Sequence, residues 1–163
     1  MDDSGPIRVE ASGEPSTHPI WNTPPRWRVT ARYAGDLTML IAGGYGDVRP
    51  GTKWIGEDGW VWVDRSGLET SPRGLLNSKV GPDEVRLPVT QSHHRQFIDC
   101  VLSRGETLTP PRVALCSATP GYLGNIAMQT GRTIRWDPVR QQILDDPAAA
   151  RMLGRPPRSP WSI

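Results

Sequence analysis

The sequence predicts an α+β fold: a largely antiparallel β-sheet, mixed at one edge, with helices packed on one face. Three observations lead there. Segments with period-two alternation fill the first two-thirds of the 163 residues. Short turn-forming stretches fold these segments back into hairpins. From Ser92 onward the apolar spacing lengthens to that of a helix.

Taken in order, residues 7–11 read as a short strand and residues 18–25 as a proline-rich loop. Residues 26–33 alternate without a break, with Trp27, Val29, Ala31 and Tyr33 on one face and Arg26, Arg28, Thr30 and Arg32 on the other. Ala34-Gly35-Asp36 turns the chain, residues 37–42 run back, and Gly43-Gly44-Tyr45-Gly46 ends the hairpin. A second hairpin joins residues 52–55 to 60–63 through Gly56-Glu57-Asp58-Gly59, a connection with turn chemistry at every position. With Ile55 opposite Trp60, Trp54 meets Val61 and Lys53 meets Trp62. Both faces of this hairpin are then apolar, and both should be covered.

In the second half, Phe97, Ile98, Val101 and Leu102 form a helical stripe with Gly105 as its natural C-cap. Pro110-Pro111 opens a longer helix running to about residue 130, with Pro120-Gly121 as a kink or break. Residues 133–136 form a short strand, Asp137-Pro138 turns the chain, and Pro147 starts a short helix through Leu153. Residues 155–163 form an extended tail pinned by Trp161. The whole, 1–163, reads as one domain by length.

Composition narrows the function. An apolar content of 36% lies below the usual ~45–50%, and 17 Gly with 17 Pro point to long loops around a modest core. Seven Trp against one Phe place much of the burial on a few large rings. The net charge of +2 gives no electrostatic support to a nucleic-acid or membrane-surface partner. No apolar run is long enough to span a bilayer, and no signal peptide is apparent. Cys100 and Cys116 both lie in apolar helical contexts, so two buried thiols in a cytoplasmic chain are expected.

Chemistry-bearing motifs are scarce. A dinucleotide site needs Gly-x-Gly-x-x-Gly between a strand and a helix. Gly43-Gly44-Tyr45-Gly46 lacks that spacing and leads to Arg49-Pro50-Gly51, so it reads as a turn. The chain has no P-loop, zinc-ligand pattern or Gly-x-Ser-x-Gly elbow, and no catalytic, cofactor-binding or metal-binding residue is assigned. His93-His94-Arg95 opens a helix, where backbone amides favour anions. These three either touch a sugar hydroxyl or a partner domain, or are locally bonded and solvated. Arg26, Arg28 and Arg32 either meet an acidic surface or form a solvated strand face. Asp99 and Asp137 read as helix-surface and turn residues.

Four blocks, taken together, carry a family resemblance. They are Ser92-His93-His94-Arg95-Gln96-Phe97-Ile98-Asp99-Cys100-Val101-Leu102-Ser103-Arg104, Ser117-Ala118-Thr119-Pro120-Gly121-Tyr122-Leu123-Gly124-Asn125-Ile126-Ala127-Met128, Gly131-Arg132-Thr133-Ile134-Arg135-Trp136-Asp137-Pro138 and Arg158-Ser159-Pro160-Trp161. In that order and spacing the chain resembles the C-terminal part of bacterial Gfo/Idh/MocA-type oxidoreductases. The resemblance implies two-domain enzymes that pass hydride between NAD or NADP and a sugar or cyclitol, with a lysine in a Glu-Lys-Pro motif as acid/base. Lys53 and Lys79 are the chain's two lysines, and neither follows Glu or precedes Pro. Met1 to Pro6 is similar to the stretch after the helix that opens the family's second domain. The chain is therefore expected to match about the last third to two-fifths of a full enzyme and to be inactive alone.

By the same resemblance, Tyr122 stands where similar chains often carry His, and Leu115-Cys116 where many carry His-Arg. His93, His94, Arg95 and Tyr122 are the candidate substrate or partner contacts. Lys53, Ile55, Trp60 and Trp62 are the candidate interface, with the stem of Lys53 lying over Trp62. The implied partners are a second copy through the sheet face or a nucleotide-binding domain. A stand-alone binding or scaffold module, including a carbohydrate-binding one, is the alternative that the same sheet allows.

Overall fold

The computed structural model describes residues 4–155 and 157–160. Six strands come first: β1 (Arg8–Gly13), β2 (Trp27–Arg32), β3 (Thr38–Gly43), β4 (Thr52–Gly56), β5 (Gly59–Val63) and β6 (Leu68–Ser71). Helices α1 (His93–Ser103) and α2 (Pro111–Thr130) follow, then β7 (Ile134–Asp137), β8 (Gln142–Leu144) and α3 (Pro147–Ala150). These elements cluster as two compact units, Met1–Tyr45 with Thr109–Ile163, and Gly46–Leu108. The α+β class holds. There are two sheets instead of one, however, and every pairing is antiparallel, so the expected mixed edge is absent from the described residues.

The first unit is a five-stranded sheet in the order β3-β2-β1-β7-β8. Val9 at its centre lies opposite Ala31 on one side and Ile134 on the other. Their side chains share a face with Val29, and all four are almost wholly buried. Helix α2 covers this face with Leu123, Ile126 and Ala127. Gly124 permits the approach, because a Cβ there would lie 2.5 Å from Val29 Cγ2. The alternation expected in residues 26–33 is the one observed: Val29, Ala31 and Tyr33 are buried, whereas Arg32 is exposed.

Pro120 does not break α2, which runs through it unbroken. Beside it the Thr119 hydroxyl donates to the Leu115 carbonyl at 2.8 Å. Asp146 caps α3 through the Ala149 amide at 3.0 Å and accepts from Arg132 at 2.8 Å.

The second unit holds the three-stranded sheet β4-β5-β6. Ile55 pairs with Trp60, Trp54 with Val61 and Lys53 with Trp62, as the sequence predicts. Pairing continues to Gly56 and Gly59, so the turn itself is Glu57-Asp58. Strand β6 was not foreseen, because Leu68-Glu69-Thr70-Ser71 has too little apolar content to announce a strand.

Helix α1 forms where the stripe predicts but buries none of its side chains. It ends at Arg104, which takes the left-handed conformation (φ 58°) expected of Gly105, one residue earlier than the glycine. Cys100 and Cys116 are half-buried, not buried, and both are free thiols. Trp161, expected to pin the tail, lies outside the described residues.

Candidate functional site

The β4–β5 face gathers the four predicted interface residues. Directly opposite residues share a face, so Lys53, Ile55, Trp60 and Trp62 project together, joined by Glu69 opposite Trp62. Trp62 is only 5% exposed. Arg49, from the segment before β4, lays its guanidinium carbon 3.2 Å from the ring centroid and forks onto Glu69 at 2.9 and 2.7 Å. The expected Lys53–Trp62 contact is therefore replaced: the Lys53 ammonium sits 4.2 Å from the Trp60 ring instead. A guanidinium is flat and can stack and fork at once, which an ammonium cannot. Ile55, 77% exposed, remains open at the far end of this face. Arg49 and Glu69 escaped the sequence reading because nothing local links residues twenty positions apart.

At the start of α1, Ser92 accepts from the Arg95 amide at 3.3 Å as a side-chain cap. The His93 and His94 rings lie 4.1 Å apart with a 36° tilt. The Arg95 guanidinium is engaged by Asp99 one turn on at 2.8 Å, which gives Asp99 the surface role expected of it. A shallow groove beside this turn is lined by Ser92, Arg95, Gln96, Asp99 and Cys100, among others.

Tyr122 belongs to the first unit. It stands 61% exposed on α2, at the rim of an open cleft of about 350 Å³. The opposite face of the five-stranded sheet is basic: Arg8 lies opposite both Arg32 and Arg135. Glu10 engages Arg8 and Asp145 engages Arg135, each at 2.5 Å. The predicted arginines separate: Arg26 reaches Glu14 at 3.4 Å and Arg28 lies 4.4 Å from the Tyr45 ring. Asp137 is a turn residue as expected, accepting from the Val139 and Arg140 amides at 2.9 Å.

Of the glycines considered for a dinucleotide, Gly43 and Gly44 serve close packing, against Trp27 and Pro25, and Gly46 has open space beside it. Gly44 has φ +80°, and a Cβ on it would lie 1.9 Å from the Pro25 carbonyl oxygen. No helix follows it to present amide groups to a phosphate. These residues do not fit a nicotinamide dinucleotide. Among the described residues no group of three or more His, Cys, Asp and Glu side chains could hold a metal ion. No helix among them is long and apolar enough to cross a membrane.

The geometry defines an α+β domain with one sheet face closed by a helix and apolar surface left over on a second, smaller unit. The model of the "Oxidoreductase family, C-terminal alpha/beta domain" matches residues 1–163, so the chain belongs to the Gfo/Idh/MocA oxidoreductase family as a C-terminal domain. No curated protein matches it. Among solved structures it is similar to an NAD-binding protein from Listeria innocua, at 15% identity and a TM-score of 0.51. That alignment covers 82% of this chain and 46% of the other, and it speaks for the fold. The chain thus spans less than half the length of the structure it matches.

Proposed function

We propose that the chain is the substrate-side and oligomerisation domain of an NAD(P)-dependent oxidoreductase acting on a sugar or cyclitol in the cytoplasm. On this reading it shapes the substrate pocket and supports assembly, and the hydride chemistry and the cofactor belong to a nucleotide-binding domain. The observation that carries the proposal is uncovered apolar surface. Phe97, Ile98, Val101 and Leu102 on α1 are half-exposed or more, and Ile55 and Trp54 stand open on β4. Apolar surface of this kind usually marks association. Two roles are available for it, contact with the nucleotide-binding domain and contact with a second copy.

Two measurements test the reading. Calorimetric titration of the purified chain with NAD and with NADP should show no binding, and a micromolar dissociation constant would refute that part. Sedimentation at micromolar concentration should show a dimer or larger assembly, which Ile55→Glu should dissociate. Ile55 is the better probe than Trp62, because Trp62 is already covered by Arg49 within the chain. A monomer at every concentration would remove assembly from the proposal.

A further inference from the structure

The geometry points to the cleft beneath Tyr122 as a binding site for an uncharged, single-ring aromatic molecule with a carboxamide or hydroxyl at its edge. This inference is independent of the family reading. The floor is apolar, built from Leu123, Ile126 and Trp136, and the rim carries Tyr122, Asn125 and Gln141. Asn125 follows Tyr122 by three residues, so both stand on the same side of α2. Gln141 arrives from the β7–β8 turn with φ +54°, a left-handed conformation that glycine or asparagine accepts more readily. Tyr122, Asn125 and Gln141 are all exposed, so their polar groups are open to a ligand. The Thr119 hydroxyl, also at the cleft, is already committed to Leu115.

Three features select the ligand class. None of the ten described residues lining the cleft is charged, in a chain of which 22% of residues are. An ion entering would give up hydration without meeting an opposite charge among these residues. The volume of about 350 Å³ stands near the lower end of the roughly 300–1,000 Å³ that ligand pockets occupy, which suits one ring. The polar groups lie along the rim and not on the floor. A sugar, with hydroxyls around its whole ring, would strand some of them against Leu123 and Ile126. A flat aromatic ring buries both faces there and keeps its polar edge at the rim. Two carboxamides and a phenol offer both donors and acceptors, which matches a carboxamide or hydroxyl edge.

The test uses the full chain with ¹³C-labelled methionine methyls, titrated with benzamide. Met152 lines the cleft, whereas Met39 packs against the core and Met128 lies beside Gly13. The expected result is a saturable shift of the Met152 methyl in the millimolar range, with Met39 and Met128 unmoved. Asn125→Asp should weaken binding roughly tenfold by placing a charge on the rim, and Gln141→Gly should weaken it by several-fold while relaxing the backbone. Benzoate, of the same shape but charged, and inositol, neutral but hydroxylated all round, should bind far more weakly. No saturable Met152 shift, equal binding in both variants, or benzoate or inositol binding as tightly as benzamide would each overturn the assignment.

Discussion

The guanidinium carbon of Arg49 sits 3.2 Å from the centroid of the Trp62 ring. The same guanidinium forks onto Glu69, the residue directly opposite Trp62 on the neighbouring strand. One side chain thus lies over the Trp62 ring and ties it to the neighbouring strand. Gly51 completes the closure, because a Cβ there would lie 2.8 Å from Trp62 Nε1, an indole nitrogen left without a hydrogen-bond partner.

Removing the lid should expose the ring. Arg49→Ala is expected to lower the urea midpoint and shift tryptophan emission to the red. Arg49→Lys should recover little of either, since an ammonium cannot stack and fork together. Both variants melting with the parent would show that the contact contributes nothing to the fold.

The lid should also respond to acid. The hydrogen bond from Arg49 holds the Glu69 carboxyl below its ordinary 4.5, and the Ser66 hydroxyl and amide hold Asp64 below 3.8. The Ala149 amide does the same for Asp146. A carboxylate depressed in the folded state stabilises it above the unfolded value and loses that contribution as pH falls through the folded value. Stability from these groups should therefore hold from neutrality to about pH 5 and decline below it. Urea midpoints followed down to about pH 3 should decline less steeply for Glu69→Gln than for the parent. Parallel curves would count against the Glu69 contribution.

Two glycines of α2, three residues apart, should respond oppositely to the same change. Gly124→Ala drives a methyl to 2.5 Å from Val29 Cγ2 and 2.7 Å from Cγ1, and overpacking of this kind costs about 1–3 kcal/mol. Gly121 has nothing within 4 Å of the added carbon, so Gly121→Ala should gain about 0.5–1 kcal/mol from helix propensity. Denaturant melts of both variants decide the point. Losses of equal size would mean that α2 does not pack through Gly124.

The paired histidines should be nearly silent in stability. His93 and His94 are both exposed, and replacing both with Ala should cost at most about 1 kcal/mol. A loss above about 3 kcal/mol would reveal a buried network that their exposure does not suggest.

Much of the frame was legible from local pattern. Period-two alternation placed Val29, Ala31 and Tyr33 inside, and turn chemistry set the Ile55–Trp60 register, because both signals act between near neighbours in the chain. The helical stripe likewise located α1 to within a residue. Its end was misplaced by one, because the residue entering the left-handed region is set by where the last turn closes, and Arg104 closes it.

What the sequence by itself determined was the α+β class, the two hairpins and the residues of the candidate β4–β5 face. Only the tertiary structure decided that a second, separate sheet forms with β6, that Arg49 rather than Lys53 covers Trp62, and that Tyr122, Asn125 and Gln141 rim one cleft. The physical reason is range. Alternation and turn preference are properties of a few adjacent residues, whereas Arg49 with Glu69 and Tyr122 with Gln141 are brought together by strand pairing and helix packing that no local pattern encodes.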